Sequence, residues 1–294
     1  MNEQGYINLL KNILENGSER IDRTGVGTIS LFAPNSLKFD LSNNTLPLLT
    51  SKRVPIKTVI KELLWFLKGD TDAKLLQEQN VHIWDGNSTR EFLDNRNLDY
   101  PEGIFGPVYG WQWRHFGAEY NVDYADTSKI TTQIGGFDQI TYIEHLLKND
   151  PYSRRIFMTA WNANDLDKMS LTPCHVSCQF YVSDGYLSCH MYQRSVDTFL
   201  GLPFNIASYA ILTHIFAKKC NLKAKELTIS FGDTHIYKNH IDQVKMLFDR
   251  ELYDFPTMEL DDSIISKDYN QIHIDDFKVN SYKCNSTITA KMAV

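Results

Sequence analysis

Hydrophobic residues recur at helical spacing at Tyr6, Leu9, Leu10, Ile13 and Leu14, and Asn16-Gly17 ends that run. Over residues 28–41 the pattern changes to strands: Leu37, Phe39 and Leu41 alternate with Ser36, Lys38 and Asp40. Residues 51–55 then lead into an amphipathic helix, IKTVIKELLWFLK, which Gly69 stops. Thr71-Asp72 suits the cap of a short third helix. From about 85 to 135 periodicity fades, and aromatics interleave with glycine in GIFGPVYGWQWRHFG. A long irregular stretch in a compact protein more often carries function than links domains.

Helical spacing returns at Phe137, Ile140, Ile143, Leu146 and Leu147. Residues 155–161 read as a strand, and 176–182 with 187–193 as a hairpin about Ser183-Asp184-Gly185. The most apolar helix spans roughly 205–219 and is expected to be buried on most sides. A strand at 227–231, a helix over 238–249 and short strands to the end complete the chain. Strands and helices do not alternate strictly. The expected fold class is therefore α+β, in one large domain or two modest ones.

Composition narrows the function. The 30 Lys and Arg against 36 Asp and Glu give a net charge of −6, the wrong sign for a protein whose main partner is nucleic acid. Five cysteines in no paired spacing fit neither a disulfide framework nor a zinc site, so no metal is expected. The opening MNEQGYINLLKNILENG lacks the basic end and apolar run of a signal peptide, and no apolar run reaches membrane length. A soluble, cytoplasmic chain is expected.

Five features could carry chemistry, each with a plainer reading. Cys174, in Pro173-Cys174-His175 at a strand entry, is a candidate nucleophile or a small buried apolar residue. Its neighbour His175 should point to the opposite face and is not paired with it. Arginines stand beside small and hydroxyl residues at Arg23-Thr24, Ser153-Arg154-Arg155 and Gln193-Arg194-Ser195, a combination suited to a phosphate dianion or to structural ion pairs. In Gly232-Asp233-Thr234-His235-Ile236-Tyr237, His235 and Tyr237 could face one way and bind a sugar hydroxyl, or simply pack in a loop. Asn205 reads most simply as an N-cap, and the helical pattern favours a solvent-facing Glu62 over a tuned acid. Gly25-Val26-Gly27 lacks the third glycine of a dinucleotide fingerprint, and no Walker sequence is present.

Taken together, DRTGVGT (22–28), KELLWFLKGDT (61–71), IWDGN (83–87), GPVYGWQWRHFGAEY (106–120), DPYSRRI (150–156), PCH (173–175), YQRSVDTFLGLPFNIASYA (192–210) and GDTHIY (232–237) resemble the thymidylate synthases over the whole chain. The resemblance implies a single α+β domain over 1–294 with a mixed, largely buried sheet flanked by helices, and reductive methylation of dUMP to dTMP, with 5,10-methylenetetrahydrofolate giving both carbon and hydride. It makes Cys174 the nucleophile toward C6 of the pyrimidine, with Arg194 beside it. Arg23, Gln193, Arg194 and Ser195 would receive the nucleotide and its phosphate, helped by Arg154 and Arg155 from the second subunit of a homodimer. Asn205 would read N3–H and O4 of uracil, which a carboxylate could not do while ionised. His235 and Tyr237 would bind the ribose 3′-hydroxyl, Glu62 would organise water for proton transfer, and Tyr109 would help remove the C5 proton.

On the folate side the resemblance puts Ile83 and Trp84 against the pterin and Asp197 on its ring nitrogens. Leu200, Gly201 and Phe204 would wall the folate, Lys52 would meet its glutamate tail, and Met292, Ala293 and Val294 would close over the site. One departure stands out: the family usually has Asp-Leu before GPVYG, where this chain has Ile104-Phe105, which leaves the local loop geometry open. Two other readings remain: a pyrimidine hydroxymethylase of the same fold, and an RNA-binding translational regulator, which the −6 charge disfavours.

Overall fold

The computed structural model describes residues 3–130 and 132–293. Helix α1 (Gln4–Asn16) is followed by strands β1 (Ser18–Arg20), β2 (Thr28–Phe32) and β3 (Leu37–Asp40). Helix α2 (Ile56–Lys68) has the bounds its apolar stripe predicts. Gly69 closes it at φ 86°, a left-handed turn that a side chain would strain, with its N–H on the Phe66 carbonyl at 3.0 Å. The region without periodicity holds short helices α3 (Lys74–Gln77), α4 (Arg90–Asn95) and α5 (Tyr109–His115). Every residue of α5 from Tyr109 to Trp113 is buried, so the helix has no polar face to betray it.

Helix α6 (Gln139–Asn149) starts two residues after Phe137, because the Asp138 carboxylate accepts the Thr141 N–H and caps it. Strands β4 (Phe157–Thr159), β5 (His175–Ser183) and β6 (Tyr186–Asp197) lead to helix α7 (Gly201–Lys219). Then come β7 (Lys223–Tyr237), α8 (Ile241–Leu247), β8 (Thr257–Leu260) and β9 (Phe277–Asn280).

The main sheet runs β1-β2-β7-β6-β5-β4, with β3 also on β7. It is mixed: β6 and β7 are parallel and the other pairs antiparallel. The GDTHIY segment is strand, not loop. Strand β7 continues through it by changing partner, from β3 at Glu226 to Ile229 to β2 at Asp233 to Tyr237. Gly232 sits at that change, where a Cβ would come within 2.5 Å of the Arg194 carbonyl on β6. Helix α7, buried almost all round, lies on β6 and β7 and against α2. One hydrophobic core extends from Tyr6 to Ile288.

Among the described residues nothing covers the other face of the sheet. Phe157, Gln179, His190 and Thr228 stand side by side across β4, β5, β6 and β7, and Tyr181 and Tyr192 flank that row. Tyr181 is 68% exposed and Tyr192 40%.

Candidate active site

A cavity of about 430 Å³ opens where α2, α5 and α7 meet the ends of β5, β6 and β7. Of the residues singled out in the sequence, Arg23, Glu62, Ile83, Trp84, Tyr109, Cys174, Gln193, Ser195, Asp197, Leu200, Gly201, Phe204, Asn205, Tyr237, Met292 and Ala293 line it. Residues more than 250 apart in the chain thus share one wall, which is topology rather than local pattern.

Cys174 precedes β5 at a bulge in the β5–β6 pairing. Its N–H donates to the Tyr109 hydroxyl at 2.7 Å, and its carbonyl accepts the Arg194 N–H at 2.9 Å. The Arg194 Nη2 lies 4.0 Å from Sγ. The same guanidinium donates to the carbonyls of Thr172 (2.9 Å) and Pro173 (2.8 Å) and to the Thr172 hydroxyl (2.7 Å), which fixes its plane behind the sulfur. Burial pushes the thiol up, while Arg194, Arg23 and the Tyr109 hydroxyl pull it back.

His175 turns away from Cys174, as alternation predicts, although its ring reaches the cavity wall. It stacks on Tyr109 at 4.1 Å and meets the Tyr209 hydroxyl at 3.0 Å through Nδ1. Burial lowers its pKa to about 3, so the ring is neutral.

Glu62 is not solvent-facing. It is 7% exposed, on the side of α2 that meets Trp84, whose indole N–H donates to it at 2.8 Å. Burial raises its pKa to about 7, against the pull of that indole. The amphipathic pattern misjudges it because the cavity opens into what would otherwise be the apolar stripe. Trp84 is itself held edge-on by Phe105, at 5.1 Å, and Phe105 is fully buried. The Ile104-Phe105 departure therefore serves as an aromatic backing to the cavity wall.

Asn205 is not an N-cap. Helix α7 begins four residues earlier, at Gly201, and Asn205 points from its second turn. Its Oδ1 accepts from Gln193 Nε2 at 2.7 Å, which leaves its NH2 toward the cavity. Gln193 Oε1 is buried with no partner among the described residues, a polar atom that calls for a ligand or water.

The Asp22 carboxylate shapes the loop that carries Arg23, accepting from the Thr24 hydroxyl at 2.6 Å and from the Gly27 N–H at 2.9 Å. His235 and Tyr237 do share a side of β7, with rings 5.1 Å apart. Tyr237 reaches the cavity, whereas His235 is buried next to it, its Nδ1 2.9 Å from Asp233 Oδ1. Asp197 accepts the N–H groups of Phe199 and Leu200 at 2.9 and 3.3 Å, so its carboxylate is set by the turn it leads into.

Three predicted residues lie elsewhere. Lys52 is buried, with Nζ donating to the Phe199 carbonyl, and burial lowers it to about 8. Arg154 and Arg155 are exposed beside the uncovered sheet face, the Arg154 carbonyl accepting from Gln179 at 3.2 Å. Val294 lies outside the described residues. Asn87 and Leu171 line the cavity too and were not singled out. The IWDGN segment held the only signal for Asn87, whose N–H closes a turn on Trp84 at 3.1 Å.

Among the described residues no cluster of His, Cys, Asp and Glu could hold a metal ion, and no helix is long and apolar enough to cross a membrane. The family profile for thymidylate synthase matches residues 4–294. The chain is similar to the thymidylate synthase of Saccharomyces cerevisiae, 48% identical over 302 residues covering 99% of this chain and 97% of that one. It resembles the thymidylate synthase of Ascaris suum equally, at 48% over 298 residues and 97% of that protein. It is also 48% identical to the bifunctional dihydrofolate reductase-thymidylate synthase of Plasmodium chabaudi, where it covers 99% of its own length and 48% of that entire chain. The chain thus spans about half the length of the Plasmodium relative and nearly all of the yeast and Ascaris ones. With the profile matched over 4–294, the chain belongs to the thymidylate synthase family.

Proposed function

We propose that this protein is a methyltransferase that converts dUMP to dTMP with 5,10-methylenetetrahydrofolate as co-substrate, releasing dihydrofolate. The observation that carries the reading is Cys174 on one cavity wall with Asn205 and Gln193: a nucleophile and an amide pair suited to uracil. Uracil presents an N3–H donor and an O4 acceptor. With its carbonyl oriented by Gln193, Asn205 offers NH2 to O4 and a remaining lone pair to N3–H.

The Cys174 thiolate adds to C6, and the electrons of the C5–C6 double bond move toward O4. C5 then becomes the nucleophile that takes up the one-carbon unit as one carbon–nitrogen bond of the donor opens. C5 loses its proton as the second carbon–nitrogen bond breaks, leaving an exocyclic methylene on the pyrimidine, and hydride addition to that methylene restores the C5–C6 double bond and expels the Cys174 thiolate. Glu62, poised at about 7, exchanges protons through water near O4, and Tyr109 sits beside Cys174 where the C5 proton departs. Bound methylenetetrahydrofolate would supply the carbon and, finally, the hydride that makes the methyl group. The apolar wall of Ile83, Trp84, Leu200 and Phe204 with the Asp197 carboxylate fits a flat ring bearing N–H donors. Met292 and Ala293 at the rim suit a tail that excludes water before hydride transfer.

Arg23, Arg194 and Ser195 receive the phosphate. The uncovered sheet face, with Tyr181 and Tyr192 exposed and Arg154 and Arg155 at its edge, supports a homodimer in which those arginines complete the partner's phosphate site. The reading is one catalytic domain over 1–294, with five cysteines free, as suits the reducing cytoplasm. His235 and Tyr237 are assigned to the ribose hydroxyl. Lys52, turned inward, would meet a glutamate tail only by leaving the Phe199 carbonyl.

The test mixes the protein with dUMP and methylenetetrahydrofolate and follows the near-ultraviolet rise of dihydrofolate, with Cys174→Ser as control. A rise lost in the variant supports the reading. Release of the C5 proton with no rise would mean carbon transfer without reduction, as in a hydroxymethylase.

A further inference from the structure

The last described residues, up to Ala293, run without regular structure from β9 to the cavity rim. The hydrogen bonds that tie them down include Arg250 to the Ser286 carbonyl at 2.6 Å and His240 to the Lys291 carbonyl at 2.8 Å. The second contact falls one residue before Met292 and Ala293, which line the cavity. His240 is fully buried, between the rings of Phe199 and Tyr237 at 5.5 and 5.7 Å. Its Nε2 serves Lys291. Its Nδ1 has no hydrogen-bond partner among the described residues and faces Asp197 Oδ1 at 3.8 Å, beyond hydrogen-bond range. A buried polar atom left so close to a carboxylate is costly in this arrangement and satisfied by a small movement.

We propose that His240 is a positioning residue that latches the C-terminal tail to Asp197, its Nε2–H holding the Lys291 carbonyl while Nδ1–H bonds Asp197 as the tail closes on a bound ligand. The inference rests on the reading of Asp197 as a folate contact. The imidazole must donate from both nitrogens, so it must be protonated. Burial opposes that charge and Lys52 adds to the opposition, but Asp197 and the Lys291 carbonyl outweigh them and the pKa is raised. Closure of the tail and orientation of the carboxylate then become one event instead of two. A ligand that engages Asp197 draws the tail in, and a closed tail fixes Asp197.

Two substitutions separate the halves of the latch. His240→Gln keeps an N–H near the position of Nε2, toward Lys291, and loses the donor to Asp197. His240→Asn keeps a donor near the position of Nδ1 and falls short of Lys291. Hydrogen–deuterium exchange of the peptide covering 286–293 in the ligand-free protein should match wild type in Gln and quicken about tenfold in Asn. Both variants should raise KM for methylenetetrahydrofolate about tenfold while dUMP affinity stays within twofold. Equal tail exchange in wild type and Asn, or parallel loss of dUMP and folate affinity, would overturn the latch and leave His240 a packing residue. Wild-type protein inactive with folate would instead defeat the functional reading, and the exchange comparison would still decide whether His240 holds the tail.

Discussion

The indole N–H of Trp84 donates to the Glu62 carboxylate at 2.8 Å, joining α2 to a turn 22 residues later across the cavity wall. Burial holds that carboxyl at about 7 although it keeps this donor. Between an unfolded value near 4.5 and 7, the folded state keeps a proton that the unfolded chain has lost. The contribution of Glu62 to stability therefore falls as pH rises through that window, by about 3 kcal/mol at most. Glu62→Gln should match wild-type thermal stability at pH 4.5 and exceed it at pH 8. Its turnover should drop roughly 10²- to 10⁴-fold, and the inflection near pH 7 in the wild-type rate profile should vanish. Melting curves at the two pH values and a pH–rate profile check both halves.

Gln193 fixes the orientation of the Asn205 amide, which in the proposed reaction reads the pyrimidine. Asn205→Asp removes the donor to O4 and adds an acceptor suited to the amino group of cytosine. The ratio of kcat/KM for dUMP over dCMP should fall by about 10⁴. Unchanged ratios would remove Asn205 from substrate choice.

Arg194 fixes the electrostatics behind the Cys174 sulfur at 4.0 Å. Arg194→Lys cannot keep three bonds to Thr172 and Pro173 in one plane, and its charge should drift from the sulfur. Alkylation of Cys174 by iodoacetamide, followed against pH, should slow about tenfold and its inflection should move up. A curve that overlays wild type would show that Arg194 does not set the thiol.

Subunits of two inactive variants should rescue each other if the arginines cross the interface. Mixed and re-equilibrated Cys174→Ala and Arg155→Ala proteins should regain up to about a quarter of wild-type activity, since half the dimers are mixed and each has one intact site. Activity no higher than that of either parent would mean Arg155 serves its own subunit or none.

The sequence reveals some elements to the residue and hides others for physical reasons. Helix α2 is legible because an apolar stripe ends at a glycine that must turn left-handed. The start of α7 is not. Gly201 and Pro203 read as loop, yet the first turn of a helix has N–H groups without partners, so a proline there loses no bond. Likewise Gly232 and Asp233 look like a turn but lie mid-strand, where β7 exchanges β3 for β2. For the site, Cys174 and the arginines stood out by residue type. Glu62 required knowing that Trp84 lies opposite, and Asn87 and Leu171 gave no sign outside a family segment. His235 shows the reverse: the motif singles it out, and the fold turns its Nδ1 to Asp233.

The covalent step is the centre of the account, and trapping it tests it most directly. With 5-fluoro-dUMP and methylenetetrahydrofolate, C5 carries a fluorine that cannot leave as a cation, so the sequence should halt after carbon transfer with the nucleotide still on sulfur. Mass spectrometry of the digested protein should find nucleotide and folate together on the peptide that carries Cys174, and nothing in Cys174→Ser. Turnover of dUMP with no trapped adduct, or an adduct on Cys178, Cys189, Cys220 or Cys284, would contradict it.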